Sequence, residues 1–248
     1  MTCIPNIGAQ RIRSLIRHYP EIDDIKKLPV RDLKMIPEIT SAMANDIRNI
    51  DLSVGEKALA RADKINASYI SYWDSGFPEN LKRVYNAPVG LYYQGNLPTG
   101  MCIGVVGTRK PTVYGKNICH KITEDILKSN LGIISGLARG IDTSAHNAAV
   151  KIQGYNVAVV GCGLDICYPR ENTALKEKII ENGAIISEFV PGTIPEAKNF
   201  PMRNRIISGL STGILVVEAG EKSGAVITAL LALDQNREVF AIPGRVNN

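Results

Sequence analysis

MCIGVVGTRKPTVYGKNICHKITEDILKSNLGIISGLARGID, residues 101–142, is the stretch on which the fold turns. It opens with a short apolar run, Cys102–Val106, and breaks at Gly107-Thr108-Arg109-Lys110-Pro111-Thr112. A helix candidate over 114–129 follows, and then a second short run, Gly132–Ser135. Runs of this length that are apolar on both faces suit strands of a parallel sheet covered by helices on both sides. The alternation continues to the end of the chain. Strand candidates are Asn156–Val160, Ala184–Ser187, Gly213–Val217 and Glu238–Ile242, with helix candidates at 140–152, 172–182, 203–210 and 224–236. The pattern predicts an α/β fold, a doubly wound, mostly parallel sheet with right-handed crossovers, in which ligands sit beyond the C-terminal strand ends.

The first hundred residues read differently. Ile4-Pro5-Asn6-Ile7-Gly8 leads into a helix candidate, Ala9–His18, with Ile12, Leu15 and Ile16 on one face. Leu33–Pro37 leads into Ile39–Ile50 as a looser copy. An apolar–turn–glycine–helix unit is what a helix-hairpin-helix module looks like, where helix-start N–H groups receive a DNA phosphate. Only the first copy has the glycine, so the preferred reading is a small helical packing module. Residues 54–68 are a further helix candidate. Tyr69–Leu97 then carries Tyr69, Tyr72, Trp73, Phe77, Tyr85, Tyr92 and Tyr93. Beside Lys82 and Arg83 such rings can stack on bases, but sealing a packing surface is the commoner use. The expected organisation is a small helical domain at 1–53, a connecting segment at 54–100 packed on the core domain, and the α/β domain at 101–248.

Composition narrows the class. The 248 residues are 45% hydrophobic and 21% charged, as in an ordinary globular protein. No apolar run is long enough to span a membrane, and Met1–Pro5 lacks a signal-peptide pattern. The five cysteines (Cys3, Cys102, Cys119, Cys162, Cys167) form no metal-like pair, so buried free thiols in a reducing cytoplasm are expected, with no metal and no cofactor. The net charge of +5 is evenly spread, 13 basic and 11 acidic residues up to Gly100 and 16 and 13 beyond it. Any electropositive site must therefore be assembled by folding.

The strand-end loops hold the unusual residues. Gly107, Thr108, Arg109 and Lys110 put glycine, hydroxyl and charge at one turn, a combination suited to phosphate. Ser135, Gly136 and Arg139 follow the second strand, and Ser223-Gly224 opens the last helix. After the fourth strand, Ser187-Glu188 begins a long connection ending Lys198-Asn199-Phe200-Pro201-Met202-Arg203-Asn204-Arg205. One ring for stacking beside cations for phosphate is the recurrent arrangement for single strands. Asp142 and His146, four apart, share a helix face; a first-turn carboxylate with a histidine hydrogen-bonded beside it explains them without catalysis.

These residues carry a family resemblance. Ser135-Gly136-Leu137-Ala138-Arg139-Gly140-Ile141-Asp142 with His146 resembles the core motif of the DNA-processing protein A family (DprA/Smf). So do Gly163-Leu164-Asp165 with Tyr168-Pro169 and Asn172, Ser187-Glu188, and Phe200-Pro201-Met202-Arg203-Asn204-Arg205-Ile206-Ile207-Ser208-Gly209-Leu210-Ser211. Val217-Glu218-Ala219, Ser223-Gly224, Thr228-Ala229 and Arg237–Gly244 complete the likeness over 101–244. The resemblance implies a Rossmann-like domain that binds single-stranded DNA, protects incoming strands in natural transformation, assists loading of the RecA recombinase and forms a homodimer. It implies a basic pocket, here Arg109, Lys110, Lys198, Phe200, Arg203 and Arg205. Members commonly continue past the equivalent of Pro243-Gly244 into a further loop and helix, so the sequence reads as part of such a chain.

A catalytic alternative is a phosphoribohydrolase-like enzyme that cleaves nucleotides on a related fold. Its glycine-rich loop and helix glutamate are missing from Glu221–Ala229, which leaves Glu188 and Glu218 as strand-end carboxylates. A dinucleotide-dependent oxidoreductase is disfavoured, because the first turn lacks GxGxxG and Ser135 stands where an acidic residue is needed. The expected protein is thus a DNA-binding one without catalytic residues.

Overall fold

The computed structural model describes residues 7–244, so Cys3 and the Ile4–Asn6 part of the first helix-hairpin-helix-like copy lie outside the described residues. Four short helices come first: α1 (Ala9–His18), α2 (Ile22–Lys27), α3 (Val30–Leu33) and α4 (Ser41–Arg48). Then come α5 (Leu52–Asp63), β1 (Ser68–Ser71), α6 (Glu79–Lys82) and β2 (Gly90–Gly95). The alternating part is β3 (Cys102–Val106), α7 (Val113–Lys128), β4 (Gly132–Ser135), α8 (Ile141–Lys151), β5 (Asn156–Val159) and α9 (Thr173–Asn182). It ends with β6 (Gly183–Ser187), α10 (Asn199–Leu210), β7 (Gly213–Val216), α11 (Gly224–Asp234) and β8 (Glu238–Ala241).

All eight strands lie in one sheet, in the order β1-β2-β6-β5-β4-β3-β7-β8. The pairs among β3 to β8 are parallel, and β1–β2 and β2–β6 are antiparallel. This is the doubly wound, mostly parallel α/β architecture expected from the alternation. Side chains divide with period two. Val157 and Val159 pack with Ile206 and Leu210 of α10, while Ala158 and Val160 pack with Leu175 and Ile179. One face thus lies under α6, α10 and α11, and the other under α7, α8 and α9. Cys102, Cys119 and Cys162 are buried free thiols; burial pushes Cys102 and Cys162 up to about 11 and Cys119 up to about 12. Among the described residues no helix is long and apolar enough to cross a membrane.

The differences from the sequence reading have local causes. The helical module contains α2 and α3, too short to carry a periodic signal, yet Ile25 and Leu33 are fully buried beside Ile12, Leu15 and Ile47. α5 ends at Asp63 because Asn66 takes a left-handed φ of 54°, after which the chain extends into β1. The segment read as a connector therefore supplies two strands. Tyr92 and Phe77 are buried, Trp73 and Tyr85 are exposed, and the Tyr69 and Tyr92 rings lie 4.9 Å apart across the β1–β2 pair. A Cβ at Gly90 would fall 2.0 Å from the Tyr69 hydroxyl oxygen, so a larger residue there would displace that ring.

α10 begins four residues earlier than its candidate, at Asn199. Pro201 occupies the first turn, where the missing N–H has no intrahelical partner to lose. The earlier start puts Phe200 and Arg203 on one helix face and turns Arg205 away from it.

Candidate nucleic-acid interface

From β3 the chain winds outward through β4, β5 and β6, then crosses over through α10 to β7 on the other flank of β3. The sheet order reverses there, with α7 after β3 and α11 after β7 on opposite faces of the sheet, which leaves a crevice beyond the strand ends. A cavity of about 510 Å3 occupies it. Its walls are Gly107, Thr108 and Arg109 after β3, Phe200, Arg203 and Asn204 of α10, Tyr168, and Ser223 and Gly224 at the start of α11.

The loops are pinned to one another. Thr108 N–H donates to the Glu218 carbonyl at 2.6 Å, and Ile141 N–H donates to the Thr108 carbonyl at 3.1 Å. Gly140 sits at φ +84°, and a Cβ there would lie 2.2 Å from the Thr108 carbonyl oxygen. Only glycine permits that approach of backbone to backbone. The Glu218 side chain secures the neighbouring helix start: its Oε1 accepts from Thr112 Oγ1 at 2.5 Å and its Oε2 from Thr112 N–H at 2.9 Å. Thr112 in turn caps α7 by accepting from Gly115 N–H at 3.0 Å.

Behind the cavity, the turn after β4 has side-chain partners for six successive backbone groups. Asp142 Oδ2 accepts from Gly136 N–H at 3.1 Å and Ala138 N–H at 3.3 Å, and Arg203 Nη1 donates to Gly136 O at 2.6 Å. Leu137 N–H donates to His146 Nε2 at 3.3 Å, Asn172 Nδ2 donates to Leu137 O at 2.9 Å, and Thr143 Oγ1 donates to Ala138 O at 2.7 Å. Leu137 is bulky, fully buried and left-handed at φ 57°, a conformation such side chains hold only when the surroundings over-determine it. For His146 Nε2 to accept, the ring must be neutral, and its Nδ1–H faces Asn156 Oδ1 at 2.7 Å. Burial, opposed by that hydrogen bond and aided by the Arg203 charge, lowers His146 to about 4. Burial also raises Asp142 above the usual carboxylate range, with Arg203 and the two N–H donors opposing it. Asp142 and His146 thus grip the same turn separately, and neither is the other's hydrogen-bond partner in the geometry above.

The expected site residues fall into four groups. Gly107, Thr108, Arg109, Phe200, Arg203, Asn204, Ser223 and Gly224 come together around the cavity. Ser135 and Gly136 lie behind it: Ser135 is buried and donates to Val105 O at 2.6 Å, while the Gly136 Cα faces the Arg203 guanidinium. Arg139, Lys198 and Arg205 are held in ion pairs. Arg139 donates from Nε and Nη2 to the two Glu171 carboxylate oxygens at 2.5 and 3.1 Å, and Lys198 meets Glu196 at 2.7 Å. Arg205 Nη2 reaches both oxygens of Glu188, at 2.7 and 2.8 Å, in a largely buried pair. Lys110 lines a neighbouring cleft instead.

Arg203 also differs from the free cation its sequence position advertises. It is 4% exposed, and Nη1 donates to the carbonyls of Gly136 and Val159, tying the ends of β4 and β5 together. Burial lowers its pKa. Its guanidinium carbon lies 5.9 Å from the centroid of the Phe200 ring, and the exposed Arg109 guanidinium lies 5.8 Å from it. Tyr168 sits 5.6 Å from Phe200, tilted at 44°. Sequence reasoning quoted Tyr168 as part of a motif but did not place it at the site. Its local signal is weak, because 31 residues of chain separate it from Phe200. Both strand-end carboxylates that kept a hydrolytic reading open, Glu188 and Glu218, are occupied by Arg205 and Thr112 respectively.

Residues 68–248 match the family model described as DNA recombination-mediator protein A. The chain belongs to that family. The match begins at the first residue of β1, so the DNA recombination-mediator family unit takes in both antiparallel strands. The DNA processing protein DprA of Bacillus subtilis is 45% identical over 190 residues, 75% of this chain and 63% of that protein. Protein Smf of Escherichia coli is 41% identical over 196 residues, 78% of this chain and 52% of that one. The crystal structure of DprA from Streptococcus pneumoniae superposes with a TM-score of 0.86 at 34% identity, covering 99% of this chain and 85% of that chain. A Helicobacter pylori DprA structure, described for its single-stranded DNA binding mode, gives a TM-score of 0.67 at 29% identity, covering 73% and 83%. The chain therefore spans about half to two thirds of the length of these curated relatives.

Proposed function

We propose that the crevice between β3 and β7 binds single-stranded DNA and that the chain catalyses no reaction on it. The observation that carries this reading is the half-buried Phe200 ring, flanked by the Arg109 and Arg203 guanidiniums at the wall of the cavity. An unpaired base stacks on such a ring, and every base has a face to offer, so sequence preference is slight. The exposed Arg109 presents a fork for an adjoining phosphate, and Gly107 and Gly224, which carry no side chain, line the same space and let a strand approach closely. A duplex keeps its bases stacked and does not offer one to Phe200. The single-strand binding described for the Helicobacter pylori relative supports the same assignment.

The family resemblance supports a wider role as a cytoplasmic homodimer that protects incoming single strands and assists the RecA recombinase in natural transformation or recombination. The apolar residues exposed on α11, Ile227, Leu230 and Leu233, together with Phe240 of β8, suit an apolar subunit contact.

Fluorescence anisotropy with single- and double-stranded oligonucleotides of equal length, across a salt series, tests the site. Single strands should bind more tightly, and Arg109→Ala should reduce the slope of log K against log salt by about 0.7, the value for one phosphate on a single strand. Equal affinity for the two forms refutes the reading.

A further inference from the structure

Beside the cavity, along the seam where α7 packs on α8, runs a second cleft of about 470 Å3. Arg109 lines both spaces, so they meet at its side chain. Lys116 and His120, one turn apart on α7, form one wall, and Thr143 and Asn147, one turn apart on α8, form the other. Lys110 stands at the mouth. The lining holds no Asp or Glu, and no Phe, Tyr or Trp. Among the described residues, Lys110, Lys116 and His120 enter no ion pair. One further turn along α7 lies Glu124, which is already neutralised by Lys151 at 3.1 Å. The seam therefore carries the charges of Arg109, Lys110 and Lys116, and beyond His120 the charge is balanced.

We propose that this cleft is a second phosphate subsite, through which a single strand held in the cavity continues past Arg109. The inference rests on the single-strand reading of the cavity. The chemistry of the cleft is that of a backbone track. The ammonium groups of Lys110 and Lys116 are compact point charges for phosphate oxygens, the exposed Asn147 amide is a neutral donor, and the lining offers one small ring, the His120 imidazole, in place of a Phe, Tyr or Trp platform. The hydroxyls of Thr143 and Ser144 are spent on Ala138 O and Gly140 O, so they shape the wall without donating to a ligand. The strand accordingly leaves its base contact at Phe200 and lays phosphates along the α7–α8 seam.

The test uses the full chain and two oligothymidylates, one short enough to fill only the cavity and one several times longer. Lys116→Ala should bind the short strand as the native chain does. It should weaken the long strand roughly fivefold at low salt and reduce its salt slope by about 0.7. Asn147→Asp, on the opposite wall and nearly isosteric, should weaken the long strand selectively as well, and thermal melting verifies that both variants fold. If Lys116→Ala and Asn147→Asp both bind the long strand as the native chain does while Arg109→Ala weakens both lengths, the second subsite is overturned and the cavity reading stands. If Arg109→Ala also leaves both lengths unchanged, the cavity reading falls with it.

Discussion

His146 offers a direct measure of how strongly the turn behind the cavity is held. The neutral ring is fully buried, and its pKa falls from 6.5 to about 4. Between those values the unfolded chain takes up a proton that the folded chain refuses. Stability from this group is therefore complete above pH 6.5 and drains away as pH falls towards 4. At about 1.4 kcal/mol for each pH unit, the whole interval amounts to about 3 kcal/mol. The perturbation is His146→Gln, whose amide oxygen can still accept from Leu137 N–H and whose NH2 can still donate to Asn156, but which does not titrate. The variant should be about 1–3 kcal/mol less stable at neutral pH, because a shorter side chain makes the two bonds less well. Denaturant unfolding at a series of pH values gives the two stability curves. Their difference isolates the histidine, since Asp142 and every other carboxylate are present in both chains. The native curve should fall more steeply below pH 6.5, closing on the variant by about 3 kcal/mol in total. Parallel curves would mean that the ring accepts a proton in the folded state and that Leu137 N–H is not bound to a neutral imidazole.

Three further outcomes are expected. Arg203→Met keeps most of the volume but leaves Gly136 O and Val159 O without their donor, so it should lower stability by about 3 kcal/mol; an unchanged melting temperature would show the guanidinium to be free. Gly140→Ala meets both a φ of +84° and a Cβ 2.2 Å from the Thr108 carbonyl oxygen, and should destabilise by at least about 1 kcal/mol in chemical unfolding; native-like stability would contradict the backbone contact. Phe200→Leu should melt close to the native chain yet lose about 1–3 kcal/mol of single-strand affinity, and undiminished anisotropy titrations would remove the stacking role.

The parallel strands were legible because burial on both faces leaves an unbroken apolar run between glycine turns, and Cys102–Val106 and Gly132–Ser135 show it to the residue. β1 and β2 carry aromatics instead, with one face on the sheet's own tyrosines, so their period is masked and they read as a connector. The site was legible in its glycines, Arg109 and Phe200, whose local context is distinctive. It was not legible in the fate of the charges. Arg203 and Arg205 look alike in sequence, but two residues of helix turn one onto the carbonyls of β4 and β5 and the other onto Glu188. The ion pairs Arg139–Glu171 and Arg205–Glu188 join residues 32 and 17 apart, and the Thr112–Glu218 contact spans 106. No spacing rule predicts such partners, because the fold alone brings them together.

The turn after β4 bears on how genetic screens of this protein would read. Its backbone groups are met by Asp142, Thr143 and His146 of α8, Asn172 just before α9 and Arg203 of α10. A mutant library scored for loss of DNA binding would therefore be enriched at these five positions, although His146 and Asn172 line neither the cavity nor the cleft and act as scaffolding alone. Scoring the same library for protein abundance separates the two causes. Positions that lose both signals mark the scaffold, and those that lose binding alone outline the surface that meets the nucleic acid.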